Sequence, residues 1–345
     1  MTPERAEELL EAAGRTRILV VGDLMLDRYV SGSVDRISPE APVPIVRVEE
    51  EWDALGGAGN VAANVRALGA TCALVGCAAE DEAGFILRAE LEAVGVATDA
   101  VVVSHDRPTT VKTRVMSRRS QIARLDREVE ADVGPETAAR LCGAVAELAA
   151  ICDAIIIQDY NKGVLVPAVI ESVLTAARVH GVPCVVDPKR RNFFAYAGAT
   201  VFKPNAKELG DATGNVVRAD DPEWMEAIRA KLDCAYLFLT LGEHGVAWVG
   251  RDASLARVPT VARSVYDVSG AGDTVTAVVA TVLAAGGSVA EAAVLANHAA
   301  AVEVGKVGVA TVTAQEIRDH LWSAMLEPSG HIRHSPHVHH EEAGR

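Results

Sequence analysis

The sequence lacks the patterns that mark membrane and exported proteins. None of its apolar runs reaches the length of a transmembrane helix, and residues 1–17 are acidic and helix-prone instead of a basic stretch followed by an apolar one. We therefore expect a cytoplasmic protein with no membrane partner.

The cysteines also lack a pattern. None of the six falls in a C-x-x-C spacing, and most of them lie within apolar segments, as buried reduced thiols do. The sequence therefore gives no indication of a disulfide framework or of a zinc site.

Positive charge is in short supply. The chain has 33 Lys and Arg residues against 47 Asp and Glu residues, a formal net charge of −14. Such a charge opposes binding to nucleic acid or to an anionic membrane, so we expect the partners to be small molecules. An anionic substrate would then have to be held by local cations and backbone N–H groups.

Short apolar runs alternate with alanine- and leucine-rich helical stretches, which predicts a parallel α/β sheet. Several runs end directly in polar residues, and ligands collect at that carboxyl edge, so we place the active site there. The first run is followed by Gly-Asp-Leu-Met-Leu-Asp instead of Gly-x-Gly-x-x-Gly, which argues against a dinucleotide-dependent oxidoreductase. The six runs are residues 18–22, 73–76, 154–158, 184–187, 201–202 and 236–240.

Two segments, at about 29–51 and 100–126, break this alternation. They are rich in Val, Ile, Thr, Arg and Pro, which favours β-structure over crossover helices. We expect them to form a small sheet that projects over the cleft as a lid and pairs with the same sheet of a second subunit. The prediction is one domain over residues 1–326 and a flexible, His-rich tail over 327–345, for which metal binding is the alternative.

The most informative stretch is 265–274, Val-Tyr-Asp-Val-Ser-Gly-Ala-Gly-Asp-Thr, a glycine-rich loop that runs into an apolar helical segment. Gly270 and Gly272 let a ligand approach the backbone, and the free N–H groups of the helix's first turn suit a phosphoryl group. Asp273 is then a carboxylate beside an anion, which makes sense if it accepts a proton from an attacking hydroxyl. A plain N-cap aspartate after a glycine turn is the alternative.

A second pair of motifs lies near the N-terminus. Residues 22–27, Gly-Asp-Leu-Met-Leu-Asp, and 56–60, Gly-Gly-Ala-Gly-Asn, resemble the first signature of the PfkB, or ribokinase-like, carbohydrate kinases, and 265–274 resembles the second. The resemblance extends over roughly 15–320. It implies an α/β protein with the ribokinase-like three-layer α/β/α fold, a mostly parallel central sheet and a small β-sheet lid. The implied activity is ATP-dependent phosphoryl transfer to an alcohol group, with Mg²⁺.

Within the family, residues 36–44, 124–126 and 159–163 are most similar to the kinases that phosphorylate D-glycero-D-manno-heptose 7-phosphate. Those enzymes act on the anomeric C1 hydroxyl and give the 1,7-bisphosphate in nucleotide-heptose biosynthesis. Many are fused to a C-terminal adenylyltransferase domain with a His-x-Gly-His motif. Residues 331–334, His-Ile-Arg-His, echo that motif without its glycine, and too few residues remain for such a domain, so we expect a stand-alone kinase.

The resemblance implies roles for individual residues on the sugar side. Asp273 is the general base, and the backbone amides of Gly270, Ala271, Gly272 and Asp273 stabilise the transferring group. An anomeric hydroxyl is more acidic than an ordinary alcohol, so a carboxylate of modest basicity suffices when position and electrostatics supply most of the rate.

Asp27 and Asn60 match family positions that hydrogen-bond sugar hydroxyls, while Gly56 and Gly57 would let the main chain approach the ring. The alternative is a turn cap at Asp27 and simple helix packing at the two glycines.

On the nucleotide side, Asn205 and Glu208 match an Asn-x-x-Glu element that holds magnesium-bound water and the phosphates. Without the family, the same residues read as a capping box. The other positions that match the nucleotide site are Ala206, Lys207, Thr240, Gly242, Gly245 and Asn297. The positions that match a monovalent-cation site, for K⁺, are Asp267, Ser269 and Gly308.

The far phosphate of the substrate needs cations, and Arg114 and Lys162 are the preferred candidates. The others are Arg36, Lys112, Arg124, Lys189 and Arg190. Two further functions stay open: a kinase of the same fold for another sugar or sugar phosphate, such as fructose, and a non-catalytic sugar-nucleotide sensor. Asp273 within an intact glycine loop argues against the sensor.

Overall fold

A computed structural model describes residues 1–117, 120–262, 265–306 and 308–326. The predicted His-rich tail, 327–345, lies outside the described residues. The described strands are β1 (Arg17–Gly22), β2 (Leu24–Ile37), β3 (Pro44–Gly57), β4 (Thr71–Ala78), β5 (Val101–Val103), β6 (Thr110–Ser117), β7 (Ser120–Arg127), β8 (Ala154–Gln158), β9 (Cys184–Asp187), β10 (Val201–Phe202), β11 (Tyr236–Thr240), β12 (Val246–Gly250) and β13 (Leu255–Val258).

Helices separate most of these strands. The described α-helices are α1 (Pro3–Ala13), α2 (Ala58–Ala67), α3 (Glu82–Ala93), α4 (Pro135–Ala149), α5 (Pro167–His180), α6 (Ala206–Thr213), α7 (Pro222–Leu232), α8 (Ala271–Ala284), α9 (Val289–Glu303) and α10 (Ala314–Leu326). Two short 3₁₀ helices cover Arg190–Asn192 and Gly242–His244.

The large sheet has nine strands in the order β13-β12-β11-β10-β9-β8-β1-β4-β5. Neighbours from β11 through to β5 pair in parallel, and only β12 and β13 add antiparallel pairs at one edge. All six apolar runs fall within strands of this sheet, so the predicted α/β class with a mostly parallel sheet is confirmed.

Side chains of the central strands alternate between two apolar layers. Ile18 and Val20 of β1 join a core with α1, α2, α3, α8, α9 and α10, whereas Leu19 and Val21 join a second core with α4 to α7. All four are fully buried, as expected for a strand covered on both faces. The result is the three-layer α/β/α arrangement.

A smaller sheet, in the order β3-β2-β6-β7, forms the lid. β2 pairs antiparallel with β3 and parallel with β6, and the β2–β3 register shifts between Ser31 and Gly32 and between Val34 and Arg36. The sheet extends beyond the predicted segments, since β2 starts at Leu24. The predicted boundary at residue 100 is wrong in part, because the apolar, largely buried β5 pairs with β4 of the large sheet.

The base of the lid is fixed to the large sheet at Asp23. The Asp23 carboxylate accepts hydrogen bonds from the backbone N–H groups of Tyr160 (2.7 Å), Lys162 (3.0 Å) and Val164 (3.1 Å). Its carbonyl oxygen accepts the N–H of Ala58 at 2.9 Å. The start of β2 is therefore held both by the loop after β8 and by the first residue of α2.

The six cysteines are free, and all but Cys142 are buried, as the sequence predicted. Within the described ranges, no helix combines the length and the apolar character that crossing a bilayer requires.

Candidate active site

A cleft lies at the carboxyl edge of the large sheet, where the polar ends of β8, β9 and β10 meet the first turn of α8. The residues that line it are far apart in the sequence, and most of them lie at the end of a strand or at the start of a helix. They are Tyr160, Asp187, Lys189, Lys203, Asn205, Glu208, Thr240, Val268, Gly270, Gly272 and Asp273.

The first turn of α8 faces this cleft. Gly270 is the N-cap with a φ of 96°, a left-handed conformation that glycine adopts without strain. The N–H of Thr274 donates to Gly270 O at 2.9 Å, and the N–H of Ala271 donates to Val268 O at 3.4 Å. Gly272 and Asp273 are thus left to supply the first-turn N–H groups without an intrahelical partner, at the positive end of the helix dipole.

The Asp273 carboxylate is buried and held by three donors. Asn60 Nδ2 donates to Oδ2 at 2.8 Å, while Gln158 Nε2 (3.0 Å) and Tyr160 OH (2.8 Å) donate to Oδ1. These bonds fix the orientation of the carboxylate on the floor of the cleft.

The pKa of Asp273 is raised to about 6. Burial is the largest cause, and the nearby Asp187 carboxylate raises it further. The hydrogen bonds from Asn60 and Tyr160 favour the charged form and act in the opposite direction. A carboxylate with this pKa is ionised at neutral pH and more basic than an ordinary aspartate, which suits a proton acceptor.

Tyr160 and Gln158 were not singled out from the sequence as site residues. Gln158 Nε2 also donates to Asp187 Oδ2 at 3.0 Å, so one amide bridges two buried carboxylates. Both residues belong to the polar end of β8, and the expectation that ligands collect at such ends is the signal that could have identified them.

Two lysine–carboxylate ion pairs line the cleft together with Asp273. Lys203 Nζ lies 3.1 Å from Asp187 Oδ2, and both side chains are buried. Lys189 Nζ pairs with Glu208 Oε1 and lies 5.1 Å from the centroid of the Tyr160 ring. Burial lowers the pKa of Lys189, but Asp187 and Glu208 outweigh it, so this pKa stays above its ordinary value and the ammonium is charged.

Asn205 and Glu208 form the capping box that their spacing predicts, while their role at the nucleotide stays a prediction. Asn205 Oδ1 accepts the N–H of Glu208 at 2.8 Å and Glu208 Oε2 accepts the N–H of Asn205 at 2.9 Å, a capping box that starts α6. The same two side chains line the cleft. Of their neighbours, Ala206 is half-buried, and Lys207 is exposed and pairs with Asp211 along the helix at 2.6 Å.

The remaining predicted nucleotide residues lie around the ends of β11 and β12. The N–H of Thr240 donates to Pro204 O at 3.1 Å, which joins it to the residue before Asn205. Gly245 has a φ of 81°, and a Cβ there would lie 2.1 Å from Val258 O. Gly242 also has a positive φ, and Asn297 Nδ2 donates to Pro259 O at 2.7 Å.

On the other side of Asp273, the base of the lid contains the residues that are predicted to bind the sugar. Arg114 on β6 pairs with Asp27 Oδ1 on β2 at 2.5 Å and lies over the ring of Tyr29, 5.4 Å from its centroid. A Cβ at Gly56 would lie 2.7 Å from Asp27 Oδ2, so glycine is required for this packing. At Gly57 a Cβ would lie 2.5 Å from Asp23 O.

Of the other candidate cations, Lys162 and Lys112 lie together around Glu128. Lys162 Nζ contacts Glu128 (2.8 Å) and Glu130 (3.1 Å), and Lys112 Nζ contacts the same Glu128 at 2.9 Å. Exposed cations make up the rest: Arg36 at the outer end of β2, Arg124 paired with Asp126, and Arg190 beside Asn161.

The predicted cation residues lie where the loop before α8 meets the end of α9. The N–H of Ser269 donates to Asp267 Oδ1 at 2.9 Å, and the N–H of Asp267 donates to Val304 O at 3.4 Å. Gly308 has a φ of 71° and lies beside the hydroxyl of Tyr29. Glu303, at the end of α9, is fully buried here, and burial, followed by the charges of Asp267 and Asp273, raises its pKa to about 8.

Comparison with known proteins gives one family and two groups of relatives. Residues 15–316 match the family described as pfkB family carbohydrate kinase. The bifunctional protein HldE of Caulobacter vibrioides is 45% identical over 320 residues, which cover 92% of this chain and 65% of that protein. The chain thus spans less than two thirds of that relative's length.

Solved structures show the same fold at lower identity. Ribokinase of Arabidopsis thaliana, complexed with ribose and ATP, superposes with a TM-score of 0.71 at 20% identity, covering 89% of this chain and 99% of that one. Phosphofructokinase-2 of Escherichia coli, in complex with potassium, has a TM-score of 0.74 at 19% identity, covering 90% and 99%.

Proposed function

Because this chain belongs to the pfkB family of carbohydrate kinases, we propose that it transfers the γ-phosphoryl group of ATP to the anomeric C1 hydroxyl of D-glycero-D-manno-heptose 7-phosphate. One observation carries the proposed chemistry. Asp273 is buried on the floor of a cleft, on the first turn of α8. Lys189 and Lys203 lie on one side of it, and the residues proposed to bind the sugar lie on the other side, at the base of the lid. A proton acceptor and an anion-binding helix end therefore meet at one point.

In the proposed reaction, the C1 hydroxyl of the sugar donates its proton to the Asp273 carboxylate as its oxygen attacks the γ-phosphorus. The bond from that phosphorus to the β,γ-bridging oxygen breaks, and ADP leaves with the electron pair. The N–H groups of Gly272 and Asp273 face the charge on the transferring group. Asn60, Gln158 and Tyr160 keep the carboxylate in place by their hydrogen bonds.

The residues on the nucleotide side fit ATP with Mg²⁺. Both Glu208 oxygens already have partners, Lys189 and the N–H of Asn205, so this carboxylate suits a hydrated ion contacted through water better than direct coordination. Asp187 and Asn205 offer further oxygen atoms. When bound, Mg²⁺ neutralises charge on the phosphates, and Lys189 and Lys203 contribute positive charge from the protein.

Asp27 and Arg114 are proposed to contact the sugar. Their ion pair at 2.5 Å fixes an acceptor and a donor side by side at the base of the lid, next to Gly56. The similarity of residues 36–44, 124–126 and 159–163 to heptose 7-phosphate kinases supports the phosphorylated heptose. Lys162 and Arg114 stay the preferred cations for its far phosphate.

The substrate assignment is tested by measuring ADP release with a panel of sugars. We expect kcat/KM for heptose 7-phosphate to exceed that for the unphosphorylated heptose, fructose and ribose by at least about 10²-fold, because a charged hydrogen-bonded group contributes several kcal/mol when its site is built for it. Phosphate at C1 of the product, located by ³¹P–¹H NMR, is the second expected result. Equal turnover of the free sugars would favour a kinase for another sugar.

The pH dependence of kcat tests the role of Asp273. The group must be ionised to accept a proton, so with its pKa raised to about 6 we expect kcat to be constant above that pH and to fall about tenfold per pH unit below it. In Tyr160→Phe the lost hydrogen bond no longer favours the carboxylate, so the acid limb moves to higher pH and kcat at pH 8 falls about 2- to 10-fold. Tyr236 begins β11, at the end of that strand away from the cleft. Tyr236→Phe should therefore match the wild type in both the position of the acid limb and the value of kcat. An unchanged acid limb in Tyr160→Phe would separate Tyr160 from the base.

The lid is proposed to join two subunits. The lid exposes the apolar side chains of Ile37, Val48 and Leu125, and exposed apolar surface on a sheet often marks an interface with a partner. We expect sedimentation velocity to give a dimer, and Val48→Asp to shift it toward monomer. A wild-type monomer at micromolar concentration would remove this proposal without affecting the chemistry.

A further inference from the structure

Two lysines from different elements hold the same carboxylate. Lys112 Nζ on β6 lies 2.9 Å from Glu128 Oε2, and Lys162 Nζ, in the loop after β8, lies 2.8 Å from Glu128 Oε1. Burial is the largest effect on the pKa of Glu128 and raises it, but the two lysines outweigh burial and leave this pKa below its ordinary value. Glu128 is therefore an ionised carboxylate with one lysine at each oxygen atom.

The pairing of the lid strands places this cluster beside the residues proposed to bind the sugar. Asp27 on β2 is the register partner of Lys112 on β6, and Lys112 is in turn the partner of Asp126 on β7. Partners in adjacent strands project from the same face of a sheet, about 5 Å apart. Lys112 therefore lies beside Asp27, and Lys162 approaches it from the loop after β8. A sugar bound at Asp27 would bring its far end to these two lysines.

Each lysine also contacts a second carboxylate. Lys112 Nζ lies 3.2 Å from Asp126 Oδ2, and Lys162 Nζ lies 3.1 Å from Glu130 Oε1. The two lysines thus face three carboxylates, which would repel an added phosphate unless one of them left. Departure of Glu128 frees a contact on both lysines at once, whereas departure of Asp126 or Glu130 frees a contact on only one.

Glu128 can leave its lysines without disturbing a sheet or a helix. It follows Arg127, the last residue of β7, and residues 128–134 form neither strand nor helix. Its side chain is 20% exposed, whereas the side chains of the Lys203–Asp187 pair in the cleft are only 3% and 6% exposed. A partly exposed carboxylate regains its hydration when it turns outward, so its departure costs little free energy. Exchange of Glu128 for another anion is therefore feasible.

We propose that the Glu128 carboxylate occupies, in the free protein, the position of the substrate's far phosphate, and that it leaves when this phosphate binds. The inference rests on the proposed function, since only a phosphorylated sugar needs such a position. Lys112 and Lys162 then exchange one shared carboxylate for a phosphate group, and each keeps its outer partner, Asp126 or Glu130. Because the phosphate must displace a competitor, Glu128 lowers the affinity for it and eases the release of the product.

Binding of inorganic phosphate to the full chain, measured by isothermal titration calorimetry, tests the inference. A non-hydrolysable ATP analogue and Mg²⁺ are present throughout, so that the nucleotide side of the cleft is already filled. We expect Kd for phosphate to fall about tenfold in Glu128→Gln, because the charged competitor is gone. Glu130→Gln is the matched control, since it removes the same charge from Lys162 but keeps the shared carboxylate. There the fall should be less than about threefold, because the Glu130 side chain is 70% exposed.

Glu128→Asp separates the contact from the charge, and it decides the matter if Glu128→Gln does not fold. The shorter side chain keeps the negative charge but reaches the two lysines less well, so phosphate should bind about threefold more tightly than to wild type. Three results would overturn the inference: wild-type affinity in Glu128→Asp, equal effects of Glu128→Gln and Glu130→Gln, or no phosphate binding by wild type and either Glu128 variant. None of them decides the sugar kinase proposal, which is tested separately by the turnover of the sugar panel.

Discussion

Replacing Asp273 with asparagine should lower kcat by about 10³-fold or more, with the affinities for ATP and sugar changed by less than about threefold. Asparagine has the same shape but cannot accept the proton. Its amide also meets donors on every side, since Asn60, Gln158 and Tyr160 all donate to the carboxylate. Steady-state kinetics give kcat, and isothermal titration calorimetry gives the two affinities.

Asp99→Asn is the control for that experiment. Asp99 is an exposed aspartate that precedes β5, outside the cleft residues. It should leave kcat unchanged. If Asp273→Asn bound both ligands and turned over at the wild-type rate, Asp273 would not be the base.

The second large effect is expected from Gly270→Ala, with a fall in kcat of at least about 10²-fold. The residue has a φ of 96°, where an L side chain is strained, and the added Cβ would lie 3.1 Å from Asn60 Nδ2 and 3.2 Å from Glu303 Oε1. Relief of these contacts moves the first turn of α8, whose N–H groups must point at the transferring group. Displacement of about 1 Å is sufficient for a loss of this size.

Gly286→Ala is the control that separates the effect of backbone strain from the effect of moving the first turn of α8. Gly286 has a φ of 82°, and a Cβ there would meet nothing within 4 Å. This variant should lose stability, because alanine is strained at positive φ, while its kcat stays within about twofold of wild type. A Gly270→Ala enzyme with normal kcat would show that the first turn of α8 does not need its present position.

Six of the nine strands of the large sheet could be predicted, because their neighbours bury them on both faces. Residues such as Ile18 and Leu19 must both be apolar under those conditions, and turn residues then mark where each run stops. The segment from residue 100 is predicted as part of the lid because its composition favours β-structure, but composition does not show which sheet a strand joins. The pairing of β5 with β4 is visible only in the folded structure.

The part of the candidate site that could be predicted consists of short motifs, in which residues close together in the sequence are also close together in space. The glycines before Asp273 and the Asn-x-x-Glu at the start of α6 are local motifs with a local physical cause. Gln158 and Tyr160 are different, since each takes its importance from Asp273, which lies more than a hundred positions away in the sequence. A single sequence does not show which residues that lie far apart along the chain come into contact in the fold.

The attachment of β2 also limits how the cleft can close. Three backbone N–H groups and the start of α2 hold Asp23, so we expect the base of β2 to move little when the cleft closes. We expect the strand to bend at the register shifts near Gly32 and Val34, where the β2–β3 ladder is interrupted. The outer end of the lid would then move while Asp27 and its bond to Arg114 stay in place, so the surface proposed to contact the sugar would be assembled before closure.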